Sequence, residues 1–94
     1  MKVERANDGK HKYIASFDNG KKTKFGALGY GDYIKYSNQS KQLAEQKRRA
    51  YIARHKINED WKDPYSAGTL SRYILWEKPS LNEAVNQYKK MFNV

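Results

Sequence analysis

The chain has 94 residues, of which 38% are hydrophobic and 14% aromatic, and its formal net charge is +9. A chain of this length forms one small domain with a modest core. The absence of cysteine excludes disulfide scaffolds, thiolate zinc sites and cysteine nucleophiles. The lack of any long apolar run predicts a protein that is neither secreted nor inserted in a membrane.

The positive charge is concentrated in the first three-fifths of the chain. Residues 1–56 contain 14 Lys and Arg against 5 Asp and Glu, whereas residues 57–94 contain 5 of each kind. A segment with such an excess of cations attracts polyanions. We therefore expect the first part of the chain to contact an anionic partner and the second part to have a structural role.

Residues 10–26 have the pattern of a β-hairpin. KHKYIASF is rich in residues that favour strands, and Asn19-Gly20 in the following turn favours a two-residue type I′ loop. Such a loop places Ile14 opposite Phe25. In this register, one face of the hairpin carries Tyr13, Ala15, Phe17, Lys22 and Lys24.

Two interpretations of that face remain open. Lysines interleaved with aromatic rings can bind nucleic acid, because bases stack on the rings while phosphates pair with the cations. Alternatively, the rings belong to the core, and Lys22 and Lys24 protect the edge of the sheet. In either case a hairpin is marginal alone, so one face must pack on other elements.

Residues 26–37 form a glycine-rich connection that is predicted to be a loop or a further short strand. Gly26, Gly29 and Gly31 allow tight turns. The segment lacks the Gly-Lys-Ser/Thr ending of a Walker phosphate loop, and it lacks the GxGxxG pattern. We therefore expect turns here, and no bound nucleotide cofactor.

Residues 38–57 are predicted to form a basic helix that is capped by Ser37, Asn38 or Ser40. The helix contains one acid, Glu45, and so lacks the mixed Glu and Lys of an ordinary solvated helix. The residues expected to contact phosphate are Lys47, Arg48, Arg49, Arg54 and Lys56, with Tyr51 or His55 stacking or bonding nearby. The alternative is that these side chains form only a solvated face.

Residues 64–78 and 80–93 are predicted to form two further helices. Asp63-Pro64 is a typical helix start, and Pro79 ends the first of the two helices. Ser80-Leu81-Asn82-Glu83 has the pattern of a capping box for the second.

The C-terminal segments also supply the expected core. It is centred on Trp61, Trp76 and the apolar residues of the first C-terminal helix. Arg72 lies inside that apolar helix, and it either bridges to Asp60 or Asp63 or faces solvent.

No group of residues indicates catalysis or metal binding. His11 and His55 are the only histidines, and no carboxylates accompany both of them at ligand spacing. Glu59, Asp60 and Asp63 are close in sequence, but ion pairing and helix capping account for them more simply than acid–base chemistry does. We expect no enzyme activity, no metal and no small-molecule cofactor.

The segments GYGDYIKY, YIARH, EDWKDP and AGTLSRYILWEKPSL follow one another from about Lys10 to Phe92. In this order they resemble a small protein family that is encoded by large nucleocytoplasmic DNA viruses of algae and amoebae. The segment SNQSKQLAEQ departs from that family, which has a shorter and more charged link there. The matching residues are Tyr51, Arg54, His55, Trp61, Gly68, Ser71, Arg72, Leu75, Trp76, Lys78, Pro79 and Leu81.

The resemblance implies a viral origin and assigns no activity or site. It suggests a location in the virion or in a viral factory in the host cytoplasm or nucleus. Small basic proteins in those places bind the genome or brace the capsid.

Together these observations predict an α+β fold in which an N-terminal β-hairpin packs on about three α-helices in a single small domain. The predicted function is that of a basic viral accessory protein that binds nucleic acid, DNA in the first instance, non-specifically through phosphates. The helix residues 47–56 form the main patch, and Lys22 and Lys24 extend it. The alternative is a minor capsid or scaffold protein whose basic face docks on an acidic protein.

Overall fold

A computed structural model describes all 94 residues and contains a three-stranded antiparallel sheet followed by helices. The strands are β1 (Lys2–Arg5), β2 (His11–Ser16) and β3 (Lys22–Ala27), in the spatial order β1-β2-β3. The helices are α1 (Tyr33–Ser37), α2 (Lys41–His55), α3 (Ala67–Leu70) and α4 (Leu81–Phe92), and α3 continues into a π-helical turn, Ser71–Leu75. The predicted α+β class is confirmed, with β1 as an additional strand.

The hairpin of β2 and β3 has a different register from the predicted one. Ser16 pairs with Lys22, so the connecting loop is longer than the two residues predicted. The Phe17 N–H donates to the Lys21 carbonyl (2.8 Å) and the Gly20 N–H donates to the Phe17 carbonyl (3.0 Å). Gly20 has a φ of 91°, which is typical of a three-residue loop that ends in a left-handed glycine.

This shift of one residue exchanges the two faces of the return strand. Phe25 joins Phe17 on the face that packs on the helices, and both are buried. Lys22 and Lys24 project from the outer face and are exposed. The prediction that these lysines share a face with Tyr13 and Phe17 is therefore wrong, because burying both phenylalanines together stabilises the observed register.

The segment predicted as a loop or a strand contains helix α1. Asp32 caps this helix, since its Oδ1 accepts a hydrogen bond from the Lys35 N–H (2.9 Å). Helix α2 is shorter than the predicted 38–57. It begins after Ser40, whose Oγ accepts a hydrogen bond from the Leu43 N–H (3.2 Å).

The helix predicted over 64–78 begins later, because Ser66 is its cap. The Ser66 Oγ accepts a hydrogen bond from the Thr69 N–H (3.2 Å). Asp63 instead accepts from the Tyr65 N–H (2.9 Å), which closes a turn before the helix.

Helix α4 agrees with the prediction for residues 80–93 to within one residue at each end. Ser80 is its cap, since the Ser80 Oγ accepts a hydrogen bond from the Glu83 N–H (3.1 Å). The helix ends at Asn93, which adopts a φ of 55° in the left-handed region.

The core lies between the inner face of the sheet and the helices, and aromatic side chains dominate it. Its buried aromatic members are Phe17, Phe25, Tyr33, Tyr51, Trp76 and Tyr88. The loop between α2 and α3 is attached at two points. The Thr23 hydroxyl donates to the Tyr65 carbonyl (2.7 Å), and the Tyr88 hydroxyl donates to the Pro64 carbonyl (2.6 Å).

Arg72 is paired inside the fold, with its side chain only 15% exposed. Its Nη1 donates to Glu77 Oε1 (2.7 Å), and its guanidinium lies over the rings of Tyr73 (4.9 Å to the centroid) and Trp61 (5.6 Å). Its carboxylate partner is therefore Glu77, and the predicted pairing with Asp60 or Asp63 is wrong. None of the helices has both the length and the apolar character needed to cross a membrane.

Candidate functional site

Arg48 is the one predicted phosphate ligand of α2 that is held inside the fold. Its Nη2 donates to both carboxylate oxygens of Glu45 (2.8 Å each), and its Nη1 donates to the Glu77 carbonyl (2.9 Å). The guanidinium lies 4.4 Å from the centroid of the Tyr33 ring. Hydrogen bonds from Tyr33 and Arg48 hold the pKa of Glu45 below its usual range. The donors of Arg48 are therefore used for structure.

The other four predicted cations divide between two flanks of the helix. Lys47 and Arg54 are two turns apart and line a cleft. Arg49 and Lys56 are also two turns apart, roughly 140–180° around the helix axis from the first pair. All four side chains are exposed, and none forms an ion pair within the protein. A single flat ligand therefore cannot contact all five predicted residues.

The cleft beside Lys47 and Arg54 has a volume of about 540 Å³. Its walls come from the end of β3 and the glycine-rich segment after it, from α1 and α2, and from α3 with the π-helical turn. This volume lies within the usual range of small-ligand sites. Short π-helical segments occur frequently at functional sites.

Aromatic rings form one side of the cleft. The Tyr51 ring lies between the rings of Trp76 (4.6 Å between centroids) and His55 (4.4 Å), and Tyr36 contacts Trp76 (6.3 Å). Tyr51 and Trp76 are 7% and 9% exposed, so they present little of their faces to a ligand. Tyr30 also lines the cleft, and it is 74% exposed. Of these rings, Tyr30 is the one most available for stacking.

A second set of contacts shapes the mouth of the cleft. The Lys12 Nζ donates to Asp32 Oδ2 (2.7 Å), which neutralises this lysine. The Lys47 Nζ lies 5.5 Å from the centroid of the Tyr36 ring. That ring packs on Gly31, where a Cβ would overlap it. Lys47 and Arg54 are thus the Lys and Arg side chains of the cleft that have no acidic partner.

Glu59 is the only carboxylate that lines the cleft. It forms neither an ion pair nor a side-chain hydrogen bond, and it packs on Gly68, where a Cβ would overlap its Oε2. Burial, reinforced by the charge of Glu59, raises the pKa of Tyr51 to about 12. The cleft therefore contains free cations on α2 and one free anion on the loop that follows.

Of the predicted site residues, the structure brings Lys47, Tyr51, Arg54 and His55 together. Lys22 and Lys24 are on the outer face of the sheet and outside the cleft, and the Lys24 Nζ lies 3.5 Å from Asp8 Oδ2. No group of three or more His, Asp or Glu side chains converges to hold a metal ion.

The sequence did not predict the contributions of Lys12, Tyr36, Glu59 and Ser71 to the cleft. The i,i+4 spacing of His55 and Glu59 would put both on one side of a helix, but α2 ends at His55, so this spacing does not explain the position of Glu59. No local pattern indicates that the end of β3 meets the start of α3 across this space.

Comparison of the chain with known protein families, with curated proteins and with solved structures found no match. The resemblance to the viral family therefore stays a prediction.

Proposed function

We propose that the protein binds single-stranded nucleic acid, with one nucleotide in the cleft and its phosphates on Lys47 and Arg54. The observation that carries this proposal is that the two cations have no acidic partner and flank a cleft of nucleotide size. In a chain with a net charge of +9, a polyanion is the ligand that relieves their repulsion.

The shape of the cleft favours a single strand over a duplex. The cations lie beside a concave site of about 540 Å³, and a flexible strand can place a splayed nucleotide there. Tyr30, which is exposed at the cleft, can stack on a base of any sequence. Phosphate contacts with one stacked base produce affinity with little sequence preference, as predicted for a non-specific accessory protein.

The viral setting belongs to this proposal. A small basic protein that binds single strands would act on a viral genome or its transcripts in the virion or in the host-cell viral factory. The rival function is docking on an acidic capsid or scaffold protein, in which the exposed Leu28 (48%) and Tyr30 (74%) of one loop would add apolar contacts.

The experiment compares two charge-matched double variants. Lys47→Gln with Arg54→Gln removes the cations of the cleft, and Arg49→Gln with Lys56→Gln removes two exposed cations at the same spacing on the opposite flank. Both variants lower the net charge equally. Binding of a labelled twelve-nucleotide thymidine oligonucleotide and of a duplex is followed by fluorescence anisotropy as a function of salt.

We expect the cleft variant to bind the single strand about tenfold or more weakly, because charged hydrogen bonds contribute about 1.5–3 kcal/mol each. The slope of log K against log salt should fall by about 1.4, since each lost phosphate contact accounts for about 0.7 on single strands. The control should change much less. Equal losses in the two variants would contradict a cleft site, and no binding by the wild-type protein at low salt would favour the acidic protein partner.

A further inference from the structure

The carboxylate of Glu59 has no role in phosphate binding and disfavours it. It is the only acid in a cleft whose other charged members are basic, and no side chain of the protein pairs with it. A carboxylate accepts hydrogen bonds at two oxygens and donates none. A ligand that fits the whole cleft must therefore present an anion toward α2 and hydrogen-bond donors toward Glu59.

A nucleotide has this distribution of groups, and the four bases differ in how well they satisfy a carboxylate. Guanine carries two adjacent donors, N1–H and the N2 amino group, on its Watson–Crick edge. Adenine and cytosine place an acceptor nitrogen beside their single amino group. Thymine and uracil have one N–H between two carbonyl oxygens. Only guanine can form two parallel hydrogen bonds with both carboxylate oxygens without an acceptor–acceptor contact.

We infer that the cleft selects guanine, with the Glu59 carboxylate accepting hydrogen bonds from N1–H and the N2 amino group while Lys47 and Arg54 hold the phosphates. This inference rests on the proposed function and adds a base preference to it. Binding is then expected to be independent of sequence along the strand, except at the nucleotide in the cleft, where guanine is preferred.

Contact with Gly68 and the anchoring of its loop limit where the Glu59 carboxylate can lie. Its oxygens pack on the Cα of Gly68, and the absence of a side chain at that position leaves room for them. The loop that carries Glu59 is anchored to the sheet through Tyr65 and to α4 through Pro64. Positioning by a rigid frame is what a base-reading group requires.

The test uses thymidine oligonucleotides of twelve nucleotides in which one central base is guanine, inosine, adenine or cytosine. Inosine keeps N1–H but lacks the N2 amino group. The wild-type protein should bind the guanine strand roughly tenfold to a hundredfold more tightly than the all-thymidine strand, which is the usual discrimination of a bidentate contact. The inosine strand should fall between them.

Two variants and one control test whether the Glu59 carboxylate causes the guanine preference. Glu59→Gln should abolish the guanine preference and tighten binding of the all-thymidine strand slightly, because the negative charge beside the phosphate site is lost. Gly68→Ala retains the carboxylate but displaces it, so it should also reduce the preference. Glu4→Gln removes an equal charge on β1, outside the cleft, and should keep the preference intact.

The outcomes separate the inference from the proposed function. If the all-thymidine strand binds through Lys47 and Arg54 but guanine adds nothing, the base preference is wrong and the phosphate site stands. If Glu59→Gln keeps the guanine preference, another group reads the base and the inference is overturned. If no strand binds, both the guanine preference and the proposed function are wrong.

Discussion

Arg48 and Arg49 are adjacent in the sequence but have different surroundings. Arg48 bonds to Glu45 and to the Glu77 carbonyl and covers the Tyr33 ring, whereas Arg49 is exposed and has no ion pair. Arg48→Ala should destabilise the protein by about 1–3 kcal/mol, because it leaves the Glu77 carbonyl without this donor and the Glu45 carboxylate with the Tyr33 hydroxyl as its remaining donor. Arg49→Ala removes the same charge and should change stability by less than about 0.5 kcal/mol.

Urea unfolding, followed by tryptophan fluorescence, measures both variants. Comparing the two variants separates a basic side chain that stabilises the fold, Arg48, from one that is only exposed on the helix, Arg49. Similar unfolding free energies for the two variants would mean that the contacts of Arg48 contribute nothing net. A sequence pattern cannot make this distinction, because both arginines match the basic run equally well.

At the scale of elements, two glycines of the hairpin adopt positive φ angles that a side chain would strain. Gly20 closes the hairpin loop with a φ of 91°, and Gly26 lies near the end of β3 with a φ of 78°. A Cβ at residue 20 meets no atom within 4 Å, but at residue 26 it would lie 2.8 Å from the Leu75 Cδ1. Gly20→Ala should therefore show the cost of the backbone alone, about 1–2 kcal/mol.

Gly26→Ala should cost more than Gly20→Ala, because the new methyl group also pushes against the π-helical turn. Comparing the two variants by urea unfolding isolates that packing contribution. If Gly26→Ala lowers the free energy of unfolding no more than Gly20→Ala does, then the Leu75 side chain moves aside at no cost. The close packing of β3 on the π-helical turn would then contribute nothing to stability.

The elements differ in how far the sequence predicts them. Helix α4 follows from the Ser80 capping box and a regular apolar stripe, both of which are local. The hairpin was predicted from Asn19-Gly20, but its register depends on which face buries Phe25, and that is decided by the helices. Helix α1 was missed because it has only five residues, directly after Gly31 and its cap Asp32, and this length is too short for a periodic signal.

For the molecule as a whole, the sequence predicted the class of fold and the location of the charge but not the site. Lys47 and Arg54 were in the predicted patch, yet the pattern did not separate them from Arg49 and Lys56 on the far flank. The cleft exists because the end of β3 and the start of α3 meet beside α2. These segments are distant in the chain, and only tertiary packing brings Glu59 and Tyr36 beside the cations.

The stability of the whole molecule should also depend on three core tyrosines staying neutral. Burial raises the pKa of Tyr51 to about 12 and raises that of Tyr88, while a hydrogen bond to Glu45 raises that of Tyr33. An unfolded tyrosine ionises near pH 10. The contribution of these tyrosines to the free energy of unfolding is therefore fully present below about pH 10. It is lost as the pH rises above that value, because the unfolded state releases these protons first.

Tyr51→Phe tests this dependence, because the Tyr51 hydroxyl can be removed without loss of a hydrogen bond to another residue of the protein. The wild-type protein should lose about 1 kcal/mol relative to the variant between pH 8 and pH 11, which is the linkage contribution of one tyrosine with this shift. Urea unfolding at each pH gives both values. A constant difference between the two proteins across this range would mean that Tyr51 ionises as readily in the fold as in the unfolded chain, and that water reaches its hydroxyl through the cleft.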